Sequence, residues 1–147
     1  ITEKNVQDTS KVRTVLECMA IDSASFPLSE AKLQELERID REQHELIASH
    51  PEDNLRFAEL DKEFHCAIAE CCDNASLIEF IQNINNVMVR INVLSGTLPQ
   101  NRQDALIEHE NIIAFLKKGQ REFAKVALSE HLKHVEERML SESKKER

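Results

Sequence analysis

At 147 residues the chain has the size of one ordinary domain, long enough to bury a hydrophobic core without disulfides. Two glycines, three prolines and 4% aromatic residues, beside abundant Leu, Ile, Ala, Glu and Lys, exclude a many-turned β architecture and favour an all-α fold. A formal net charge of −8 argues against direct binding to a phosphate backbone, the basic exception being the short tail Lys144-Lys145-Glu146-Arg147.

No apolar run approaches the roughly 18 residues of a membrane span, and no signal peptide is evident, so the expectation is a cytoplasmic protein without a membrane partner. Cys18, Cys66, Cys71 and Cys72 lack a CxxC spacing and read as reduced thiols. The chain starts at Ile1, and residues 1–9 are polar, which reads as the remnant of a linker from something longer.

Punctuation residues divide the rest into about six helices, expected to pack as an antiparallel bundle over residues 10–143, with 144–147 as a charged tail. The first helix is predicted from about Ser10 to Asp22. Ser29 caps the second, which ends at His50-Pro51. Pro51 is expected in the first turn of the third, which Asp73-Asn74 breaks. The fourth occupies roughly Ala75 to Leu94, with an apolar stripe Leu77, Ile81, Ile84, Met88 and Ile91, and stops at Ser95-Gly96. The fifth follows Leu98-Pro99 and ends at Lys117-Lys118, with Gly119 as a left-handed cap. The sixth runs from about Gln120 to Ser141.

Ionisable groups interrupt the inward stripes of three of these helices. The third reads Phe57, Asp61, Phe64, Ile68, with His65 four residues after Asp61; the fifth reads Arg102, Leu106, His109, Ile113, Leu116; the sixth reads Ala124, Leu128, His131, Val135, Met139. A desolvated imidazole or carboxylate needs a partner. An Asp–His pair at i and i+4 also arises by chance, and a single buried His is commonly satisfied by a backbone carbonyl. Joint placement on three core stripes favours a divalent metal bound by Asp61, His65, His109 and His131. Zn, Ni, Mn and Fe all accept such a set, with Zn or Ni expected in a purified sample. His44, in a charged stretch, and His50, at a helix end, read as surface residues; His134 lies off the inward row. Arg13, in an apolar Val12–Val15–Leu16 setting, Arg90 and Arg102 could each clamp a carboxylate or form a surface salt bridge, and Asn85 and Asn92 could donate hydrogen bonds to a ligand or simply face solvent.

The chain further contains Val12-Arg13-Thr14-Val15-Leu16-Glu17, then Asp61-Lys62-Glu63-Phe64-His65, Asn74 with Leu77, Glu108-His109-Glu110-Asn111-Ile112-Ile113, and Ala127 with His131-Leu132. In this order and spacing they resemble the FadR C-terminal (FCD) domain of GntR-type transcriptional regulators, over most of the chain. The resemblance implies a helical bundle that holds a metal on Asp61, His65, His109 and His131 beside a small organic acid effector, with Arg13, Arg90, Arg102 and Asn85 as candidate effector contacts. It also implies an N-terminal winged helix-turn-helix upstream, a homodimer, and operator DNA read only through that upstream domain. No HExxH, P-loop, GxGxxG or nucleophile elbow is present, so the expectation is not an enzyme. A metal-dependent helical-bundle enzyme and a helical adaptor with a structural ion are the competing classes.

Overall fold

The computed structural model describes residues 2–95 and 99–145, folded into six helices: α1 (Glu3–Asp22), α2 (Glu30–Ser49), α3 (Asn54–Ala69), α4 (Ala75–Ser95), α5 (Pro99–Lys117) and α6 (Arg121–Lys145). Among the described residues there is no β-strand, only an isolated antiparallel bridge between Ala24 and Cys72. Successive neighbours close a ring, with α1 against α4, α4 against α3, α3 against α2, α2 against α5, α5 against α6 and α6 against α1. None of these helices is long and apolar enough to cross a membrane.

Local chemistry explains most boundaries. The Ser29 hydroxyl accepts from Lys32 N at 3.2 Å to cap α2, and Asn74 Oδ1 accepts from Leu77 N at 3.0 Å to start α4. Gly119, with φ of 71°, makes the left-handed exit from α5.

Two predicted starts are corrected. Residues 3–9 are not linker: α1 begins at Glu3, because Thr2 Oγ1 accepts from Asn5 N at 3.1 Å and Val6 is buried. Pro51 lies in a turn before α3, whose cap is Asp53, its carboxylate accepting from Arg56 N at 3.0 Å. At the far end α6 passes Ser141 and takes in Lys144 and Lys145 of the expected tail. The break at Gly96, the turn at Leu98, and Glu146-Arg147 fall outside the described residues.

The core is layered along the bundle. At one end Ile21, Leu36, Phe64, Ile112, Leu116 and Leu128 pack together, all essentially solvent-free. At the other, Val6, Met88, Ile91 and Met139 form a smaller cluster. Full burial of each such side chain contributes about 1.5–3 kcal/mol. Along α6, His131 falls between Leu128 of the first cluster and Met139 of the second, so a polar layer is held between two apolar ones.

Candidate metal centre

That polar layer contains Asp61 and His65 on α3, His109 on α5 and His131 on α6, all buried. Their reactive atoms converge. His109 Nε2 lies 3.2 Å from His131 Nε2 and 3.3 Å from Asp61 Oδ1, and His65 Nε2 lies 3.8 Å from Asp61 Oδ2. One nitrogen from each histidine falls within 4.8 Å of the other two. Phe64 stacks on the His109 ring at 4.0 Å and 17°, fixing the plane of that imidazole.

The opposite nitrogen of every ring is committed to an acceptor on another helix. His65 Nδ1 donates to Glu17 on α1, His109 Nδ1 to Gln43 Oε1 on α2 at 3.1 Å, and His131 Nδ1 to Glu108 Oε1 on α5 at 2.6 Å. Asn85 on α4 reaches Glu17 Oε2 at 3.4 Å, so all six helices contribute to one layer. With Nδ1 protonated, each neutral ring turns its Nε2 lone pair to the centre. Two such lone pairs 3.2 Å apart repel unless a cation lies between them, and buried His65 Nε2 has no hydrogen-bond partner. Donors that share one ion at about 2.0–2.1 Å stand roughly 3 Å apart, so the set fits a divalent metal. A carboxylate or amide behind each ligating imidazole is the usual support of such a site.

The electrostatics agree. Burial, followed by the Arg13 charge, lowers the pKa of His65, and burial lowers that of His131 to about 3, against the pull of Glu108. Neutral imidazole is the form a metal requires. Burial alone would raise the Asp61 carboxyl, but His65, His109 and Arg13 around it hold it well below the usual carboxylate range. Glu17 follows the same logic: burial is outweighed by His65 and Arg13, leaving its pKa at about 2.

The remaining predicted contacts are divided by the fold. Arg13 is buried, bonded through Nε to Glu17 Oε2 at 2.8 Å and 3.9 Å from Asp61. Its setting is the reverse of the expected one, since Val12 and Val15 are 52% and 68% exposed. Asn85 is buried and donates to Ile81 O at 2.9 Å. Arg90 is exposed on α4 beside Asn5 and Asp8, away from the polar layer, because its register on α4 turns it from the stripe that carries Met88 and Ile91 inward.

Arg102 alone of the three arginines lines a narrow cleft open to solvent, whose wall includes Asp61, Asn92 and Arg138. Arg102 donates to Pro51 O and lies 5.5 Å over the Phe57 ring. Arg138 donates to Glu108, the same carboxylate that orients His131. Gln43 and Arg138 were not singled out by sequence reasoning, and Glu17 and Glu108 entered it only as members of the motifs, without a role of their own. For Arg138 the available signal was its spacing two turns after His131 on α6, and for Glu108 its place directly before His109. His134 is exposed and bonded to Glu108 at 3.0 Å, outside the ligand cluster.

The fold is an all-α bundle of six helices built around a buried polar layer. The FCD domain model matches residues 8–134, and the chain belongs to the FCD domain family. It is 28% identical over 142 residues to the uncharacterized HTH-type transcriptional regulator YdhC of Bacillus subtilis, and spans 92% of this chain but only 63% of that relative's length. The metal-free FCD domain of TM0439 superposes with a TM-score of 0.75 at 21% identity, covering 99% of this chain and 98% of that one. A GntR from Streptococcus agalactiae gives 0.75 at 21% identity, over 93% of this chain and 61% of its own. A GntR family regulator from Pseudomonas syringae pv. tomato gives 0.73 at 19%, over 93% and 56%. The relatives whose descriptions name a function are transcriptional regulators, not enzymes.

Proposed function

We propose that this chain is the ligand-sensing domain of a GntR-type regulator, holding a divalent metal on Asp61, His65, His109 and His131 and a small carboxylate effector in the adjoining cleft. The observation that carries it is the convergence of three Nε2 atoms whose Nδ1 partners are already satisfied. The ion is one of Zn, Ni, Mn or Fe, with Zn or Ni expected in a purified sample. The FCD domain of TM0439 is described as metal-free.

When bound, the ion supplies positive charge that anchors a carboxylate. Arg102 and Arg138 on the cleft wall then orient the acid by charge-assisted hydrogen bonds, and Asn92 offers a further donor. Arg13 and Asn85 act behind the ligands, through Glu17. Effector binding shifts the balance of DNA-competent and incompetent forms by its differential affinity for the two. The DNA reader is a winged helix-turn-helix N-terminal to this domain, and the protein works as a cytoplasmic homodimer, for which the exposed row Val12, Val15 and Met19 on α1 is an available apolar surface.

A thermal-shift screen of short mono- and dicarboxylates, run with and without chelator, tests the reading. A true effector at a hundredfold excess over its Kd adds about 2.7 kcal/mol of stability, only in the metal-loaded protein. His109→Ala should abolish that response and lower bound metal. A response unaffected by chelator and by His109→Ala would overturn it.

A further inference from the structure

Helices α2 and α5 carry a second group of donors on the edge of the seam that holds His109. Asp40 and His44 stand one turn apart on α2, and Glu110 reaches across from α5. His44 Nε2 lies 2.6 Å from Glu110 Oε1 and 3.7 Å from Asp40 Oδ1, and one ligand atom from each of the three falls within 4.8 Å of the others. Asp40 Oδ1 is buried and has no hydrogen-bond partner. Among the described residues no Lys or Arg forms an ion pair with Asp40 or Glu110, so two carboxylates meet with only a half-exposed imidazole between them.

We propose that Asp40, His44 and Glu110 form a second divalent-metal site, on the outer edge of the α2–α5 interface and distinct in every ligand from the inner centre. One imidazole nitrogen and two carboxylates suit a borderline ion such as Zn²⁺, with water completing the shell on the solvent side. The ion takes the place of the direct contact between His44 Nε2 and Glu110 Oε1 and gives Asp40 Oδ1 a partner.

The placement gives the site a consequence. His44 directly follows Gln43, whose amide orients His109, and Glu110 directly follows His109. An ion bridging Asp40 and His44 to Glu110 therefore clamps the two helices at the point where the inner ligand His109 is aligned.

The test is Zn²⁺ binding to the whole chain after removal of metal, followed by calorimetric titration and by metal analysis of the dialysed protein. The wild-type chain should bind two equivalents. Asp40→Asn with His44→Ala should bind one, whereas Asp61→Asn with His131→Gln should lose the other one and keep this one. Glu110→Gln, at a half-exposed position, should weaken the outer equivalent at least tenfold with unchanged circular dichroism, which separates loss of a ligand from loss of fold. Two equivalents retained in the Asp40→Asn, His44→Ala chain, or at most one in the wild type that survives that change, would mean an ion pair only. Failure of the inner reading has a different signature, since Asp61→Asn with His131→Gln would then leave the stoichiometry of the wild type unchanged.

Discussion

Glu17 shows how a single residue governs the inner layer without facing its centre. It is fully buried, accepts from His65 Nδ1, and is bonded to Arg13 Nε at 2.8 Å. Its negative charge raises the basicity of the imidazole and compensates a buried guanidinium at the same time. Glu17→Gln keeps the acceptor but removes the charge, and loss of such outer partners usually weakens metal binding about 10–100-fold. Competition against a chromophoric chelator should show that drop, with Glu17→Ala worse than Glu17→Gln; an affinity within about twofold of wild type for both would show that the carboxylate does not serve the ligand. Asp61, His109 and His131 were legible in the sequence because each interrupts an apolar stripe. The role of Glu17 was not, because the middle of the inward row of α1 is polar, Ser10, Arg13 and Glu17, while Val12, Val15 and Met19 face outward. Periodicity reads a polar row as the solvent face, and only the tertiary packing of a buried ion pair reverses it.

Among the elements, the boundaries that sequence placed well are those with a chemical stop or start, and Gly119 is the clearest. It joins the helix that carries His109 to the helix that carries His131, at φ of 71°. A Cβ there meets nothing within 4 Å, so Gly119→Ala costs backbone strain without a clash. The expected loss is about 1–2 kcal/mol, read as a melting temperature lowered by a few degrees, with metal affinity essentially preserved because the ligands lie more than two turns from the joint. A substitution without effect would mean that the α5–α6 turn relaxes freely. The start of α1 was missed for an equally physical reason. Residues 2–9 look like a linker because an exposed amphipathic helix start is mostly polar, and here Val6 is the buried hydrophobic that anchors it.

For the molecule as a whole, burying neutral imidazoles and ionised carboxylates together makes the fold sensitive to acid. His131 has a folded pKa of about 3 against an ordinary value of 6.5, so the unfolded chain takes up a proton that the folded one refuses. Stability from this group is therefore fully present above about pH 6.5 and is lost as pH falls toward 3, at roughly 1.4 kcal/mol per unit. His65 is displaced in the same direction by burial and Arg13. Glu17, with a folded pKa of about 2 against 4.5, adds its own loss below the ordinary carboxylate range, so the contributions act in concert. Urea unfolding of metal-stripped protein should thus show a midpoint that falls steadily from pH 7 to pH 5. His131→Gln should flatten that slope, because a neutral amide cannot take up the proton. Metal-loaded protein should start higher and fall more steeply, since protons compete with the ion for the same nitrogens. A pH-independent midpoint in the stripped protein would mean that the histidine layer is already protonated or solvated in the folded state, and the neutral, inward-facing Nε2 atoms on which the metal centre depends would be lost with it.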